Sequence, residues 1–268
     1  MMYPVTAERL RNDPSSGRGN TSPAPVKRFS DRGPLPRART PNRPFSISWR
    51  TPSGAVSHDT VFAPAVPVVE ATCSSLARGV QVSTTEGQVS IEDLVPGMYV
   101  NTVEYGPLML QWVGSYDMSP REVQNNERAC LYRVNSDTFG YSKPSHDVVL
   151  APRAHILLRD AACKRMYGTQ TAFAPIRAFE DGMSVVAVSP MSPVTLFNLA
   201  FDRQATIIAG GLEVESYHPG PYSMSLMDDD MTYSLLRLFP HVRNLAAFGE
   251  QSTERLTAFE VKALREGA

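Results

Sequence analysis

Residues that could bind a metal or attack a substrate are scattered along this chain of 268 residues. The three cysteines, Cys73, Cys130 and Cys163, are an odd number without C-x-x-C spacing, which argues against both a disulfide framework and a zinc site. The five histidines are too dispersed to indicate a metal cluster. We therefore expect neither a metal nor a cofactor. The cysteine usage favours a reducing, cytoplasmic compartment, with signal-independent export left open.

Two further patterns have the residue types of a ligand site without the required spacing. Asp228-Asp229-Asp230 lacks the spaced ligands and the glycine of a calcium loop, so a solvated acidic turn is the better interpretation. Gly210-Gly211 is followed neither by Lys-Ser/Thr nor by a helix start, and therefore does not predict a phosphate-binding loop.

The elements that would position reactive side chains are best defined between residues 78 and 114. Apolar and polar residues alternate there in three short runs that end at turn pairs such as Glu86-Gly87 and Pro96-Gly97, which is typical of short strands joined by turns. A second informative stretch, residues 147 to 160, predicts two apolar strands hinged at Pro152, because proline lacks the N–H that a continuous ladder requires.

These patterns divide the chain into three predicted parts. Residues 1–68 are interpreted as a disordered, basic, Pro/Arg-rich arm and linker, since the first 50 residues hold ten Lys/Arg against three Asp/Glu and eight of the 22 prolines. Residues 69–217 predict an all-β domain of many short strands. Residues 218–268 predict a short, partly helical tail, with Ser252 or Thr253 as the N-cap of its last helix.

The same composition bears on partners. No apolar run reaches the ~20 residues needed to span a bilayer, and the N-terminal sequence lacks the apolar core of a secretory signal peptide. Clustered arginine attracts nucleic acid or an anionic membrane without any fold. A solvated leader or interaction tail is the favoured alternative for the arm. The sequence identifies no partner.

Four pieces of sequence follow one another between residues 70 and 217. They are SLARGVQVSTTEGQVSIEDLVPGMYVNT, GPLMLQWVG, VVLAPRAHILL and FDRQATIIAGGLEVESY. In order and spacing they resemble the Hint domain, the module shared by Hedgehog autoprocessing domains and inteins, in the form found in many proteobacterial proteins. The resemblance implies a horseshoe-shaped all-β fold of short strands built from two related halves.

The resemblance also implies where self-processing chemistry would lie. In active relatives a Cys or Ser at the start of the domain attacks the preceding carbonyl, while a histidine polarises that peptide and protonates the departing amine. Counting back four residues from Gly79 gives Ser75. Cys73 takes this position only if the following residues are looped differently. For both residues the alternative is an ordinary side chain at the first strand.

The later pieces match active relatives less well. The family spacing of Pro-x-His, counted from Pro152, falls on Ala154, so that His155 lies one residue late, and a one-residue shift turns a strand side chain to the opposite face. The histidine of the family's Asp-x-His is replaced by Gln204, which cannot act as a general base but could hydrogen-bond an oxyanion. Asp202 is a second candidate, with turn formation as its alternative role.

Three hypotheses follow. The favoured one is a Hint-fold structural or interaction module in which autoprocessing is weakened or lost. The second is a self-cleaving domain with Ser75 or Cys73 as nucleophile and His155 as general acid and base, acting on its own N-terminal segment. The third is nucleic-acid binding by the basic arm. Residues 210–217 contain no Asn, which argues against full splicing, and the tail does not resemble a sterol-recognition region.

Overall fold

The alternating runs of the sequence form short strands in the structure, a computed structural model that describes residues 41–125, 130–220 and 227–266. The strands, in chain order, are β1 (Asn42–Arg50), β2 (Val56–Pro64), β3 (Leu76–Ala77), β4 (Gln81–Thr84), β5 (Gly87–Ser90), β6 (Tyr99–Thr102), β7 (Gly106–Met109), β8 (Trp112–Met118), β9 (Leu131–Val134), β10 (Val148–Leu150), β11 (His155–Arg159), β12 (Thr171–Pro175), β13 (Val185–Val188), β14 (Val194–Ala200), β15 (Thr206–Ala209) and β16 (Leu212–Glu215). The helices are α1 (Pro67–Glu70), α2 (Pro120–Asn125), α3 (Ala161–Tyr167), α4 (Asp229–Leu236) and α5 (Ala258–Glu266).

The strands form two sheets in which named strands pair antiparallel. The first sheet has the order β13-β9-β10-β3-β14-β8-β1-β2. The second has the order β12-β11-β16-β15-β4-β6-β7, and β5 pairs with β4 beside it. The predicted all-β class is confirmed, and the short helices lie between or after the strands.

The block from residue 78 to residue 114 connects the two sheets. Its strands β4 to β7 belong to the second sheet, whereas β8 pairs with β1 and β14 in the first. The predicted turns at Gly87 and Gly97 have φ angles of 110° and 105°, which glycine adopts without the steric cost that a side chain would add. The sequence patterns of this block therefore correspond to strands, although the structure divides them more finely than predicted.

The predicted hinge at Pro152 is a crossing from one sheet to the other. β10 ends at Leu150 in the first sheet, β11 begins at His155 in the second, and the Ala154 N–H donates to the Ala151 carbonyl across the bend at 3.1 Å. β10 pairs with β3 through Leu76 and Leu150. This pairing brings the start of the domain next to the hinge.

The prediction of a disordered arm and linker over residues 1–68 is wrong for the described part of that range. β1 and β2, each of nine residues, form a hairpin, and β1 also pairs with β8. Phe45, Ile47, Val61 and Ala63 are buried at its inner face, in the alternation that a half-buried strand requires. The prolines and arginines averaged over the segment concealed this local pattern. Residues 1–40, on which most of the arm and nucleic-acid hypotheses rest, lie outside the described residues.

The tail packs on the β domain through its first helical part. The indole Nε1 of Trp112 donates to the Leu238 carbonyl at 2.6 Å, and the Phe239 ring lies 4.3 Å from that of Trp112 between ring centroids. Phe239 and Phe248 are fully buried. The predicted partly helical tail thus contributes to the core of the protein.

The last helix begins later than the sequence predicted. Thr257, rather than Ser252 or Thr253, accepts from the Glu260 N–H at 3.2 Å, and Glu260 accepts from the Thr257 N–H at 2.7 Å, which is a capping box. Residues before Thr257 are extended instead, because the Phe173 N–H donates to the Glu254 carbonyl at 2.7 Å and the Leu256 N–H donates to the Phe173 carbonyl at 2.8 Å.

The buried apolar side chains form two clusters. One, which we call the inner cluster, contains apolar residues of both sheets together with Val261 and Leu264 of α5. The other, the Trp112 cluster, contains residues of the β1–β2 hairpin, Cys73, Trp112 and the first part of the tail. Within the described ranges, no helix combines the length and the apolar character needed to cross a bilayer.

Candidate functional site

A cavity of about 250 Å³ lies where the start of the domain, the hinge after β10 and the end of β16 meet. Apolar residues of α1 border it, and polar and charged side chains converge from several separate segments. The lining residues that carry polar side chains are Ser75, Arg153, His155, Asn198, Glu215, Ser216, Tyr217, His218 and Arg255.

Ser75 is held at the wall of this cavity by backbone hydrogen bonds on both sides. Its N–H donates to the Phe197 carbonyl at 3.1 Å, and its carbonyl accepts from the Ala151 N–H at 2.8 Å. The preceding carbonyl, that of Ser74, accepts from the Arg153 N–H at 3.2 Å. The peptide bond that a self-processing reaction would break is therefore fixed between β14 and the hinge.

Cys73 lies in a different environment although it is only two residues away. It is fully buried in the Trp112 cluster, and a Cβ atom added at Gly114 would come within 2.7 Å of its Sγ. Burial raises the pKa of the Cys73 thiol to about 12, and a hydrogen bond with Thr72 opposes this only in part. Cys73 does not line the cavity, so the structure places Ser75, rather than Cys73, at the site.

His155 is brought to the cavity by the bend that precedes β11. Ala154, which the family spacing selected, is fully buried in the inner cluster, and the next residue, His155, lines the cavity. The Nδ1 atom of His155 lies 3.5 Å from Oε2 of Glu215. Burial, and secondly the positive charge of Arg255, lower the pKa of His155 to about 3. Its imidazole is consequently neutral near pH 7.

Glu215 is a buried carboxylate with three hydrogen-bond contacts. Nε of Arg255 lies 2.9 Å from each of its two oxygens, and Nε2 of Gln204 donates to Oε1. Burial raises the pKa of Glu215, while the charge of Arg255 and the hydrogen bonds from Gln204 and Arg255 act in the opposite direction. A buried carboxylate is stabilised by charged and hydrogen-bonded partners of this kind.

Gln204 has a structural position behind Glu215. Its Oε1 accepts from the Thr253 N–H at 2.9 Å and from the Ser252 hydroxyl at 3.2 Å, while its Nε2 donates to Glu215. Both ends of the amide are therefore used. Gln204 does not line the cavity, and its role as an oxyanion donor stays a prediction.

Asp202 is exposed at the surface, where it pairs with Arg203 at 3.0 Å, and is not among the residues that line the cavity. Its predicted alternative, turn formation before β15, agrees with this position. Among residues 41–125, 130–220 and 227–266, no three His, Cys, Asp or Glu side chains are placed to share a metal ion.

Sequence reasoning missed Glu215 and Arg255. The position of Glu215 in the sequence could have identified it as a candidate, since it is an acidic residue at the end of a short apolar strand, where an unpaired charge is costly. Arg255 gave no such signal because nothing local distinguishes it from other basic residues of the tail. His218 holds two loops together, as its Nδ1 accepts from the Gly220 N–H and its Nε2 lies 3.1 Å from the Gly249 carbonyl oxygen.

Comparison with known proteins identifies the family of the chain. A family model described as "Hint domain" matches residues 74–221, which is more than half of the chain, and the chain belongs to this family. The match begins one residue before Ser75. The β1–β2 hairpin and Arg255 lie outside it.

One solved structure that the chain resembles is the "Solution Structure of Bacterial Intein-Like domain from Clostridium thermocellum". The similarity has a TM-score of 0.38 and 12% sequence identity, and covers 54% of this chain and 99% of that chain. No curated protein matches the chain.

Proposed function

We propose that this protein is a Hint-fold structural or interaction module in which self-processing is suppressed and the segment before Ser75 is retained as part of the fold. A self-processing domain separates from the chain that precedes its nucleophile. In this protein the preceding chain is a component of the first sheet and of the Trp112 cluster.

The observation that carries the proposal is the pairing of β1 with β8. Residues 46–49 of the hairpin pair with residues 112–115 of the domain, and Phe45, Ile47 and Cys73 share the Trp112 cluster with the tail. Burying a large apolar side chain contributes roughly 1.5–3 kcal/mol. Several such side chains lie upstream of Ser75, so the stability of the domain depends on the segment that processing would remove.

The chemistry of the cavity supports the same proposal. An imidazole with a pKa of about 3 is a weak general base, because a catalytic base works best when its pKa lies near the working pH. Ser75 carries a hydroxyl, which needs an aligned and sufficiently basic partner before it becomes nucleophilic. Gln204, in the position of the family's second histidine, is committed to holding Glu215 and the tail.

Intact mass under denaturing conditions tests this proposal. Purified protein, incubated at neutral pH with and without hydroxylamine, is expected to keep its full mass of 29.5 kDa, because an ester or thioester that hydroxylamine could cleave does not accumulate. The matched control is Ser75→Ala, which removes the hydroxyl at the site. A fragment broken between Ser74 and Ser75 that appears in the natural sequence and disappears in Ser75→Ala would contradict the proposal.

Serine-dependent self-cleavage is the second candidate, and the shared cavity of Ser75 and His155 favours it. In this reaction Oγ of Ser75 forms a bond with the carbonyl carbon of Ser74, the C–N bond between the two residues breaks, and His155 carries the hydroxyl proton to the departing amine. The Arg153 N–H, 3.2 Å from the Ser74 oxygen, would stabilise the charge that develops there. Water or hydroxylamine would then release residues 1–74 by cleaving the ester.

His155→Gln and Cys73→Ala test the mechanism of the second candidate. If self-cleavage occurs, His155→Gln loses the hydroxylamine-dependent fragment together with Ser75→Ala, whereas Cys73→Ala still produces it, since Cys73 lies outside the cavity. A fragment that persists in His155→Gln and is lost in Cys73→Ala would exclude the Ser75 mechanism.

A further inference from the structure

The carboxylate of Glu215 lies between two side chains that can be positively charged, Arg255 and His155. Arg255 approaches both carboxylate oxygens at 2.9 Å, whereas Nδ1 of His155 lies 3.5 Å from Oε2, which is too long for a good hydrogen bond. The carboxylate is therefore engaged by the guanidinium and is only a distant neighbour of the imidazole.

We propose that Arg255 is an electrostatic brake on this site: delivered by the tail, it takes up the carboxylate of Glu215 and thereby leaves His155 without a counter-ion. The inference deepens the suppressed self-processing proposed above and rests on it for its meaning. In this arrangement Arg255 is a positioning residue, since it acts on His155 through Glu215.

The geometry of Arg255 explains why the Glu215 carboxylate binds its guanidinium more strongly than the imidazole of His155. Besides the contacts of Nε with Glu215, Nη2 of Arg255 donates to the His218 carbonyl at 2.6 Å. Charge-assisted hydrogen bonds of a guanidinium to a buried carboxylate are among the stronger polar contacts in proteins. A carboxylate already satisfied in this way offers less stabilisation to an imidazolium at its other side.

The tail is built to hold the guanidinium in place. Thr253 is fixed by Gln204, and the residues on either side of Arg255 bond to the Phe173 backbone. The loop at Gly220 passes so close that an added Cβ would lie 2.5 Å from Nη1 of Arg255. These contacts come from β12, from the residues before β15 and from the loop after β16. The position of Arg255 therefore depends on whether the tail is docked on the domain.

The charged groups around His155 determine what removing Arg255 should do. Glu215 is an acidic neighbour. Burial is the largest cause of the lowered pKa of His155, the charges of Arg255, Arg177 and Arg153 lower this pKa further, and a hydrogen bond with the Arg153 backbone opposes them. His218 also lines the cavity. Removing Arg255 takes away the strongest positive neighbour and frees the carboxylate, and both changes favour the protonated imidazole.

NMR titration of the histidine side chains in the full-length protein tests the brake. In the natural sequence the His155 signal, assigned by its loss in His155→Gln, is expected to remain that of a neutral imidazole down to about pH 4.5, since its pKa is held far below the ordinary value of about 6.5. In Arg255→Met the midpoint is expected to rise by roughly one pH unit, because the charge of Arg255 is removed while the burial of His155 remains. Lys262→Met, which removes an exposed charge from the same tail, serves as the matched control and should leave His155 unchanged.

Arg255→Lys keeps the inference testable if Arg255→Met fails to fold. Lysine retains the charge but lacks the planar donor group, so the titration midpoint of His155 in Arg255→Lys should lie between the midpoints of the natural sequence and Arg255→Met. If only Arg255→Lys folds, its midpoint should still lie above that of the natural sequence. A His155 midpoint that stays within about 0.3 pH unit of the natural value in the folded Arg255 variants would overturn the brake. Denaturing mass of the natural sequence tests suppressed processing separately, since the titration does not depend on cleavage.

Discussion

Cys73 and Ser75 are two residues apart and lie in opposite kinds of surroundings. The Cys73 thiol is enclosed by the Trp112 cluster, where its pKa is raised to about 12, while Ser75 faces a cavity lined by ionisable side chains. One short stretch of chain thus completes an apolar core on one side and a polar site on the other. The start of this domain therefore contributes to the apolar core as well as to the polar cavity.

Trp112→Ala should give the largest effect on the apolar side of this comparison. The variant removes a fully buried side chain and its hydrogen bond to the Leu238 carbonyl, and truncations of buried aromatic residues cost about 3–5 kcal/mol. Urea unfolding measures the loss. The exposed Phe259→Ala is the control and should change stability by less than about 0.5 kcal/mol. A loss below about 1 kcal/mol for Trp112→Ala would show that the cluster is not the core of the upstream segment.

Glu215→Gln should give the largest effect on the polar side. The variant leaves the partly exposed guanidinium of Arg255 beside a neutral amide, and the loss should approach the ~3 kcal/mol that breaking a buried charge pair costs. Urea unfolding at pH 7 again measures the loss, with Glu266→Gln, an exposed residue of α5 paired with Lys262, as the control. Equal stability of the two variants would mean that the Arg255 contact contributes nothing to the fold.

The pH dependence of stability should depend partly on His155. Its pKa is held at about 3 in the folded protein and is about 6.5 in an unfolded chain. The unfolded state therefore binds more protons between these values, and stability falls as the pH drops through this range. Unfolding at pH 7 and pH 4.5 should show this loss, and His155→Gln should reduce it by roughly 1 kcal/mol or more. An identical loss in both proteins would assign it to other groups, such as His241, whose pKa is lowered to about 4 by burial.

Direct truncation of the two compared residues should give the smallest effects. Cys73→Ala empties space in a packed core and should cost roughly 1–2 kcal/mol, whereas Ser75→Ala, buried at the wall of a cavity, removes one hydroxyl and should cost less than about 1 kcal/mol. The folded protein should also leave Cys73 unmodified by a thiol reagent at pH 8, because the reactive thiolate is absent there. Rapid modification of Cys73, detected by peptide mapping, would contradict its enclosure.

The sequence predicted those parts of the fold that depend on local patterns. Alternating residues defined the strands on either side of Gly87 and Gly97, and the missing N–H of Pro152 marked the crossing between sheets. His155 and Ser75 were both identified as candidates, yet the count along the family pattern preferred Ala154 to His155. The count failed because the bend at residues 151–154 determines which side chain reaches the cavity, and a bend is not visible in spacing alone.

The remaining features depend on contacts between distant segments. Arg255 meets Glu215 only after the tail has docked, and 40 residues separate them in the chain. Gln204 was interpreted from what it replaces, whereas its two-ended contacts with Glu215 and Thr253 explain why an amide is suitable there. The β1–β2 hairpin was missed because the prolines and arginines of the segment concealed its alternation, and because its partner, β8, lies beyond residue 111.

The most direct test of the retained upstream segment is to measure the mass of the natural protein twice, in native and in denaturing conditions. We predict one species of 29.5 kDa in both, since the hairpin is part of the fold and the bond before Ser75 stays intact. A protein of full mass in native conditions that separates into residues 1–74 and 75–268 on denaturation would contradict suppressed processing, and would show that the hairpin remains bound after cleavage.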